Sequence, residues 1–302
     1  MPGAPAADGE NGRGLPMALL RLARPQQWSK NVLVLAAPGA AGVLFEGRSI
    51  LKTLIAFVCF CLAASGTYCW NDALDVDADR MHPKKRSRPV AAGAVSVATA
   101  KQFGSVLLVT AIAFSFVATW HLALVVAGYV LTTLAYSVWL KHEPVLDLAT
   151  VASGFVLRTV AGGVAVGVPI SNWFLIVAAS GALFIVTGKR SAEHTELGED
   201  AGLHRRALAQ YSTAYLGYVR AMSSTIAILA YCLWAFEVSN RSGNPVWFQL
   251  AIIPFVLGVL RYALLLDRGE GGAPEEVLLR DRVLLLIGLS WVVCFAIAVA
   301  AN

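Results

Sequence analysis

The sequence predicts an all-α integral membrane protein, a single bundle of about nine transmembrane helices. Three observations carry that reading. Of the 302 residues, 57% are hydrophobic and 14% charged, against about 25% charge in an ordinary soluble domain. Mean hydropathy reaches +0.65. Apolar runs close to the roughly 20 residues that a bilayer crossing needs recur along the chain. This balance excludes a disordered chain, a disulfide scaffold and a soluble two-domain enzyme. The excess of Lys and Arg (24) over Asp and Glu (19) does not ask for a nucleic-acid partner, because in a membrane chain the location of the cations matters more than their sum.

Residues 1–15 (MPGAPAADGENGRGL) are polar and rich in Gly, Ala and Pro, which predicts a disordered tail. A cleaved signal peptide is the rival reading, since Arg21, Arg24 and Lys30 precede a short apolar stretch, but the many later spans make cleavage unnecessary. Residues 16–302 then form one membrane domain, with spans expected at 17–46, 50–70, 101–119, 121–140, 144–167, 171–188, 213–238, 246–266 and 282–300. The connections alternate in character. Those near 45–49, 119–121, 168–172 and 239–245 are brief and nearly uncharged, while the other set holds almost all the charge.

Of the 24 Lys and Arg, 20 fall in the tail with the first helix entry, the 71–101 loop, Lys141, the 189–220 segment and the 261–282 segment. Arg48, Lys52 and Arg241 lie towards the opposite side, and Arg158 is inside a span. The positive-inside rule therefore places the amino terminus and the 71–100 and 189–212 loops in the cytoplasm, with the carboxyl terminus outside. Trp28, Trp70, Trp120, Trp139, Trp173, Trp234 and Trp247 sit near expected span ends, as an interfacial belt requires; Trp291 does not. The cysteines (Cys59, Cys61, Cys69, Cys232, Cys294) lie in or beside apolar runs without metal-ligand spacing and read as packing residues. The scattered histidines make a metal cluster an unfavoured reading, and the span glycines, among them Gly162, Gly163 and Gly167, suit close helix packing.

The chemistry concentrates after Trp70, in NDALDVDADRMHPKKRSRPVAAG. If the second helix runs through it, Asn71, Asp75 and Asp79 repeat every four residues and share one stripe, flanked by Asp72, with Asp77 pointing away. Such a stripe of oxygen donors is self-repelling unless a cation sits among them. Mg²⁺ suits it, taking one or two carboxylates plus substrate phosphate oxygens. Lys84, Lys85, Arg86 and Arg88 follow closely enough to hold the remaining phosphate oxygens. A solvated loop of mutually neutralising charges is the plainer alternative.

The NDxxDxxxD pattern at 71–79, followed by Arg88-Pro89 and Gly93, resembles the first aspartate-rich motif of the UbiA superfamily of intramembrane prenyltransferases. RPQQWSKN at 24–31 is similar to that superfamily's start of its first helix, and Tyr136-Ser137 with Lys141 resembles the end of its fourth. The resemblance spans essentially the whole chain. It implies Mg²⁺ on Asn71, Asp75 and Asp79, which with Asp72 form the expected catalytic group.

One departure bears on the substrate. Where most members carry a second aspartate-rich motif, this chain reads GKRSAEHTELGED, with Lys189 and Arg190 in place of acids and Glu193 one turn on. Two cations are poor metal ligands but good phosphate ligands. The pattern is similar to the branch of the superfamily that transfers 5-phosphoribose from 5-phosphoribosyl diphosphate to a long-chain polyprenyl (decaprenyl) phosphate, releasing diphosphate, for cell-wall arabinan precursors. The donor's two separated anionic groups match one acidic metal site and one basic clamp. The resemblance further implies inversion at the sugar without a general base, in a bacterial plasma membrane. Rival expectations are a prenyltransferase with an aromatic acceptor, which needs Glu193, Glu196 and Asp200 as a second metal site, and a carrier of lipid or solute without chemistry. Crowding of charge on one face disfavours the carrier. A homo-oligomer is compatible with the pattern.

Four further residues complete the expected substrate-binding set. A cation inside an apolar run is costly unless it faces a cavity or partner, so Arg158 is expected to line the polar chamber, or else to pair with a carboxylate such as Asp147. Lys30 divides between phosphate contact and interfacial snorkelling. Tyr68 and Tyr136 stand near the charged face, where they touch the donor or anchor the interface.

Overall fold

The computed structural model describes residues 11–197, 207–240, 246–270, 277 and 280–300. Every regular element among them is helical. Eight helical segments are long and apolar enough to cross a membrane. They comprise α3 (Gly47–Leu74), α5 (Val97–Ser115), α6 (Trp120–Val138), α7 (Leu146–Val166), α8 (Asn172–Leu197), α9 (Thr213–Ser239), the pair α10 (Val246–Leu250) and α11 (Ile252–Asp267), and α12 (Arg282–Ala300). Between them, α4 (Val76–Met81) is a short helix following α3. The starts are set locally: Ser96, Thr119, Ser171 and Ser212 each accept a bond from the backbone N–H three residues on, at 3.0–3.1 Å, which satisfies an N–H the helix itself leaves open.

The expected first span, 17–46, is not one α-helix. It divides into α1 (Asn11–Ala23), a 3₁₀ stretch Pro25–Leu35 and α2 (Ala36–Ala40). The expected tail is therefore helical over residues 11–15, and residues 1–10 lie outside the described residues. The break has a local cause. Pro25 disfavours the α conformation at the residue before it, and Arg24 takes a left-handed backbone instead (φ 52°). The stretch still crosses the bundle. Arg24 bonds Asp72 at the end of α3, whereas Gly42 lies against Val299 in the last turn of α12.

The core is built around α3, which packs on α5, α6, α7 and the 3₁₀ stretch, while α8 joins α7 to α9 and α11 packs on α12. Two close approaches require glycine. A Cβ at Gly162 in α7 would collide with the carbonyl oxygen of Val34, so this residue lets the 3₁₀ backbone lie directly on α7. Gly66 and Gly104 face each other's carbonyls where α3 meets α5. Phe60, Leu122, Val126 and Ala161 fill the space between α3, α6 and α7. Large apolar side chains such as Val109, Leu131 and Leu286 remain exposed on the outer surface, as a lipid-facing bundle needs. The five cysteines are free thiols. Trp291, which fits no interfacial belt, donates to the Tyr231 hydroxyl at 2.7 Å inside the bundle.

Gly162→Ala is expected to lower the melting temperature in detergent by several degrees, since overpacking a filled site costs about 1–3 kcal/mol. Gly128→Ala, where a Cβ meets nothing within 4 Å, is the matched control and should leave the melt unchanged or raise it. Equal melts for the two variants would contradict the packing assignment.

Candidate active site

The aspartate stripe survives a kink. Asp75 (φ −97°, ψ 12°) ends α3 and precedes α4, yet its N–H bonds Asn71 O at 2.9 Å and its own carbonyl accepts the Asp79 N–H at 2.8 Å. Four-residue spacing is thereby kept from Asn71 through Asp79. Asp77 lies on the other side, 88% exposed beside Arg80.

Each acid of the stripe is met by a cation. Asp72 is fully buried and accepts from Arg24 Nη2 at 2.6 Å and Arg88 Nη1 at 3.1 Å. The same Arg88 nitrogen donates to Asp79 Oδ2 at 2.7 Å. Lys141 Nζ donates to Asp75 Oδ1 at 2.5 Å. Arg88 is thus committed to carboxylates rather than presented to a phosphate. Lys85 and Arg86, in a short 3₁₀ turn (Lys85–Ser87), do not line the chamber described below. Of the basic run it is Arg88 that holds the acidic stripe, because the chain folds back at 82–88 and brings it over the residues it follows.

Behind the stripe opens a polar chamber of about 380 Å³, lined by Arg24, Lys30, Tyr68, Asn71, Tyr136, Lys189, Arg190 and Glu193 among others. Asn71 faces it directly, and Asp75 and Asp79 continue its stripe one and two turns further. The guanidinium of Arg24 stacks on the Tyr68 ring at 4.8 Å. The structure thus gathers six of the expected substrate-binding residues: Lys30, Tyr68, Tyr136, Lys189, Arg190 and Glu193. Lys189 and Glu193 stand 3.9 Å apart across one turn.

Arg190 departs from the expected free clamp. It grips Asp147 with two bonds, Nε to Oδ2 at 2.7 Å and Nη2 to Oδ1 at 3.1 Å, and donates to Glu193 Oε2 at 2.8 Å. Tyr136 donates to the same Asp147 at 2.9 Å. Asp147 accordingly pairs with Arg190, not with Arg158. Beside it Tyr211, whose phenol burial pushes above its ordinary value, stays neutral and accepts the Val145 N–H at 2.8 Å. Arg158 lies deeper, bonded to Asn31, Gly154 and Tyr129.

Sequence reasoning left Asp147, Arg24 and Lys141 outside the site. Arg24 and Lys141 stand in the two flanking motifs, and an acid in the first turn of an apolar span was the available signal for Asp147. The side chains of Glu196 and Asp200 lie outside the described residues.

The donor set fits a hard divalent cation. Among the described residues no three His, Cys, Asp or Glu side chains converge, so a metal would rest on the Asn71 amide with the Asp75 and Asp79 carboxylates, each of which gives one oxygen to a cation and keeps the other. Asp72 Oδ2 is buried without a hydrogen-bond partner. Two carboxylates and an amide leave coordination positions for phosphate oxygens, as Mg²⁺ commonly requires.

Residues 32–286 match the UbiA prenyltransferase family. The chain is 46% identical over 292 residues to the decaprenyl-phosphate phosphoribosyltransferase of Corynebacterium glutamicum, covering 95% of this chain and 88% of the relative. It is 46% identical over 287 residues to the enzyme of the same name from Mycobacterium tuberculosis, covering 93% and 94%. Its fold matches the UbiA homologue from Archaeoglobus fulgidus bound to GPP and Mg²⁺, with a TM-score of 0.71, 19% identity and coverage of 94% of this chain and 99% of the other.

The Asp147–Arg190 fork predicts strong coupling. Arg190→Met strands the buried Asp147 carboxylate, at a cost of about 3–5 kcal/mol, whereas Asp147→Leu leaves Arg190 its Glu193 partner and should cost less; the double variant removes the buried pair and should melt above Arg190→Met. Additive losses in detergent melts would show that the two side chains do not act as a pair.

Proposed function

The chain belongs to the UbiA prenyltransferase family, and we propose that within it this protein transfers 5-phosphoribose from 5-phosphoribosyl diphosphate to decaprenyl phosphate. The observation that carries this reading is the near-full-length identity to two decaprenyl-phosphate phosphoribosyltransferases. The site is consistent with it: one acidic stripe, and a Lys189-Arg190 pair where a second acidic motif would bind a prenyl diphosphate. The membrane is the bacterial plasma membrane, the chamber faces the cytoplasm, the amino terminus is inside and the carboxyl terminus outside. The product feeds cell-wall arabinan synthesis.

Asn71, Asp75 and Asp79 would hold Mg²⁺, which would supply charge neutralisation for the departing diphosphate. Lys141 and Arg88 hold the two carboxylates in place, so the stripe needs little rearrangement when the donor arrives. Tyr68, one turn before Asn71 on α3, and Lys189 line the same chamber as Asn71 and contact the donor's other groups. An oxygen of the lipid phosphate bonds to the anomeric carbon as the bond from that carbon to the diphosphate oxygen breaks. The attacking phosphate is already anionic near neutral pH, so no side chain has to remove a proton. Attack opposite the leaving group inverts the sugar. The protein's contribution is orientation and a fixed field within a pocket shielded from water.

The prenyltransferase reading is less favoured because Glu193, the nearest acid to the missing second motif, is already bonded to Arg190. The test is transfer of radiolabel from 5-phosphoribosyl diphosphate into an organic-extractable lipid in membranes that contain the protein. Asp75→Ala and Asp79→Ala should each reduce the rate by about 10²–10³-fold. Chelation with EDTA should stop it and added Mg²⁺ should restore it. Transfer of a prenyl group to an aromatic acid, with no labelled lipid formed, would overturn the assignment.

A further inference from the structure

Below the chamber lies a smaller polar recess of about 180 Å³, with Lys30 on one wall, Arg158 at its floor, and the hydroxyl-bearing Tyr68, Tyr129, Thr133 and Thr150 around it. Arg158 is buried and held on three sides. Its Nε donates to Asn31 Oδ1 at 2.7 Å, Nη1 to the Gly154 carbonyl at 2.7 Å and Nη2 to the Tyr129 hydroxyl at 3.0 Å, while the Tyr129 ring lies 4.8 Å beneath the guanidinium. These bonds use three of its five N–H donors. All three partners are neutral. Arg24, Arg88 and Arg190 each have a carboxylate, but among the described residues Arg158 has none. A buried charge without a counter-ion is costly, and one held in a fixed orientation at the bottom of a hydroxyl-lined recess is arranged for an anion.

A second feature identifies what the anion carries. Phe155, one turn before Arg158 on α7, borders the recess, the chamber and a 540 Å³ apolar groove alike. Thr159, next after Arg158, also lines the groove, whose other walls include Leu33, Phe174 and Trp291. The groove is continued by a 450 Å³ apolar cavity that shares Val177, Ile185 and Phe255 with it. An anion at Arg158 therefore sits where polar and apolar spaces meet. A phosphate monoester on a long hydrocarbon chain has this division within one molecule.

We propose that the recess between Lys30 and Arg158 holds the phosphate of the polyprenyl phosphate acceptor, with its chain passing Phe155 into the apolar groove. The inference rests on the function proposed above and deepens it: the donor occupies the outer chamber between Asn71 and Lys189, and the acceptor enters from the lipid side beneath it. Lys30 and Arg158 touch the acceptor phosphate, whereas Asn31 and Tyr129 are positioning residues that fix Arg158. The donor's 5-phosphate is also a phosphate monoester, so the two sources must be separated by experiment.

The first measurement needs no donor. Binding of farnesyl phosphate and of farnesol to the full chain in lipid nanodiscs is followed by tryptophan fluorescence. The wild-type protein should prefer the phosphate by at least about tenfold, the worth of a charged hydrogen bond, and Lys30→Met and Arg158→Gln should each remove most of that preference. Should Arg158→Gln fail to fold, Lys30→Met carries the test alone. Lys30 borders both spaces, so in the second measurement Lys30→Met should raise the KM for decaprenyl phosphate about tenfold and by more than it raises the KM for 5-phosphoribosyl diphosphate. Equal wild-type affinity for farnesyl phosphate and farnesol, unchanged preference in Lys30→Met, or a rise confined to the donor KM would overturn the proposal, the last by assigning the recess to the donor's 5-phosphate. Failure of the wild-type protein to label lipid would count against the proposed function and leave the binding result standing.

Discussion

A charge taken out of water must find an opposite charge or a ligand, and this single requirement organises the charged half of the protein. The helix ends at this face carry acids and bases where a bilayer protein has little water to screen them. Asp72 shows the constraint most plainly. It is 1% exposed and sits between Arg24, from the segment before the first crossing, and Arg88, from the loop after α4. Two stretches of backbone with no regular structure in common are thereby tied to the end of α3. Arg88 then reaches on to Asp79, so the pairing that solves the burial of one aspartate also orients another. The acidic stripe is held by its surroundings before any metal or donor arrives.

The same constraint explains what could be read locally and what could not. The eight α-helical crossings follow from apolar run length, and the Asn71, Asp75 and Asp79 stripe from a four-residue period, both of which are properties of contiguous sequence. The 3₁₀ stretch was hidden because hydropathy records how apolar a segment is and not its backbone path; Arg24-Pro25 was the only local sign of the break. Arg88 and Arg190 read as phosphate ligands because a basic residue near an anion site has two uses. Only the tertiary structure distinguishes them, since the partner of Arg190 lies 43 residues away in α7 and that of Arg88 is reached by a fold-back of the loop. Arg158 stands out in the sequence because a cation in the middle of an apolar span has no cheap location, but it lines the smaller recess rather than the chamber, and its neutral partners cannot be inferred from spacing.

The irregular first crossing gains a role from this arrangement. An α-helix there would hold its backbone behind a sheath of side chains, whereas the 3₁₀ stretch lies with the Val34 carbonyl against Gly162. At that short range Asn31 reaches both Arg158 and the Cys61 thiol, at 2.7 and 3.2 Å, linking α7 to α3 through one amide. The same stretch contributes Lys30 to the polar recess and Val32 and Leu33 to the apolar groove. A departure from ideal helix geometry thus places a cation and an apolar wall three residues or fewer apart on one strand of backbone.

Two substrates of opposite character must meet in this molecule, and the division of its interior decides where. A phosphosugar diphosphate is soluble and multiply charged, so it can approach only from water, at the charged end of the bundle where the stripe and Lys189 lie. A polyprenyl chain is stable only in hydrocarbon, so it must stay in the groove. Phe155 stands at the junction of all three spaces, and the reacting atoms have to meet within reach of it. Specificity for such a pair does not need a pocket shaped to each atom of either molecule. It follows from charge that is concentrated at one end of a bundle, neutralised wherever it has a structural task, and left, among the described residues, without a counter-ion at Arg158, where an anion on a lipid would arrive.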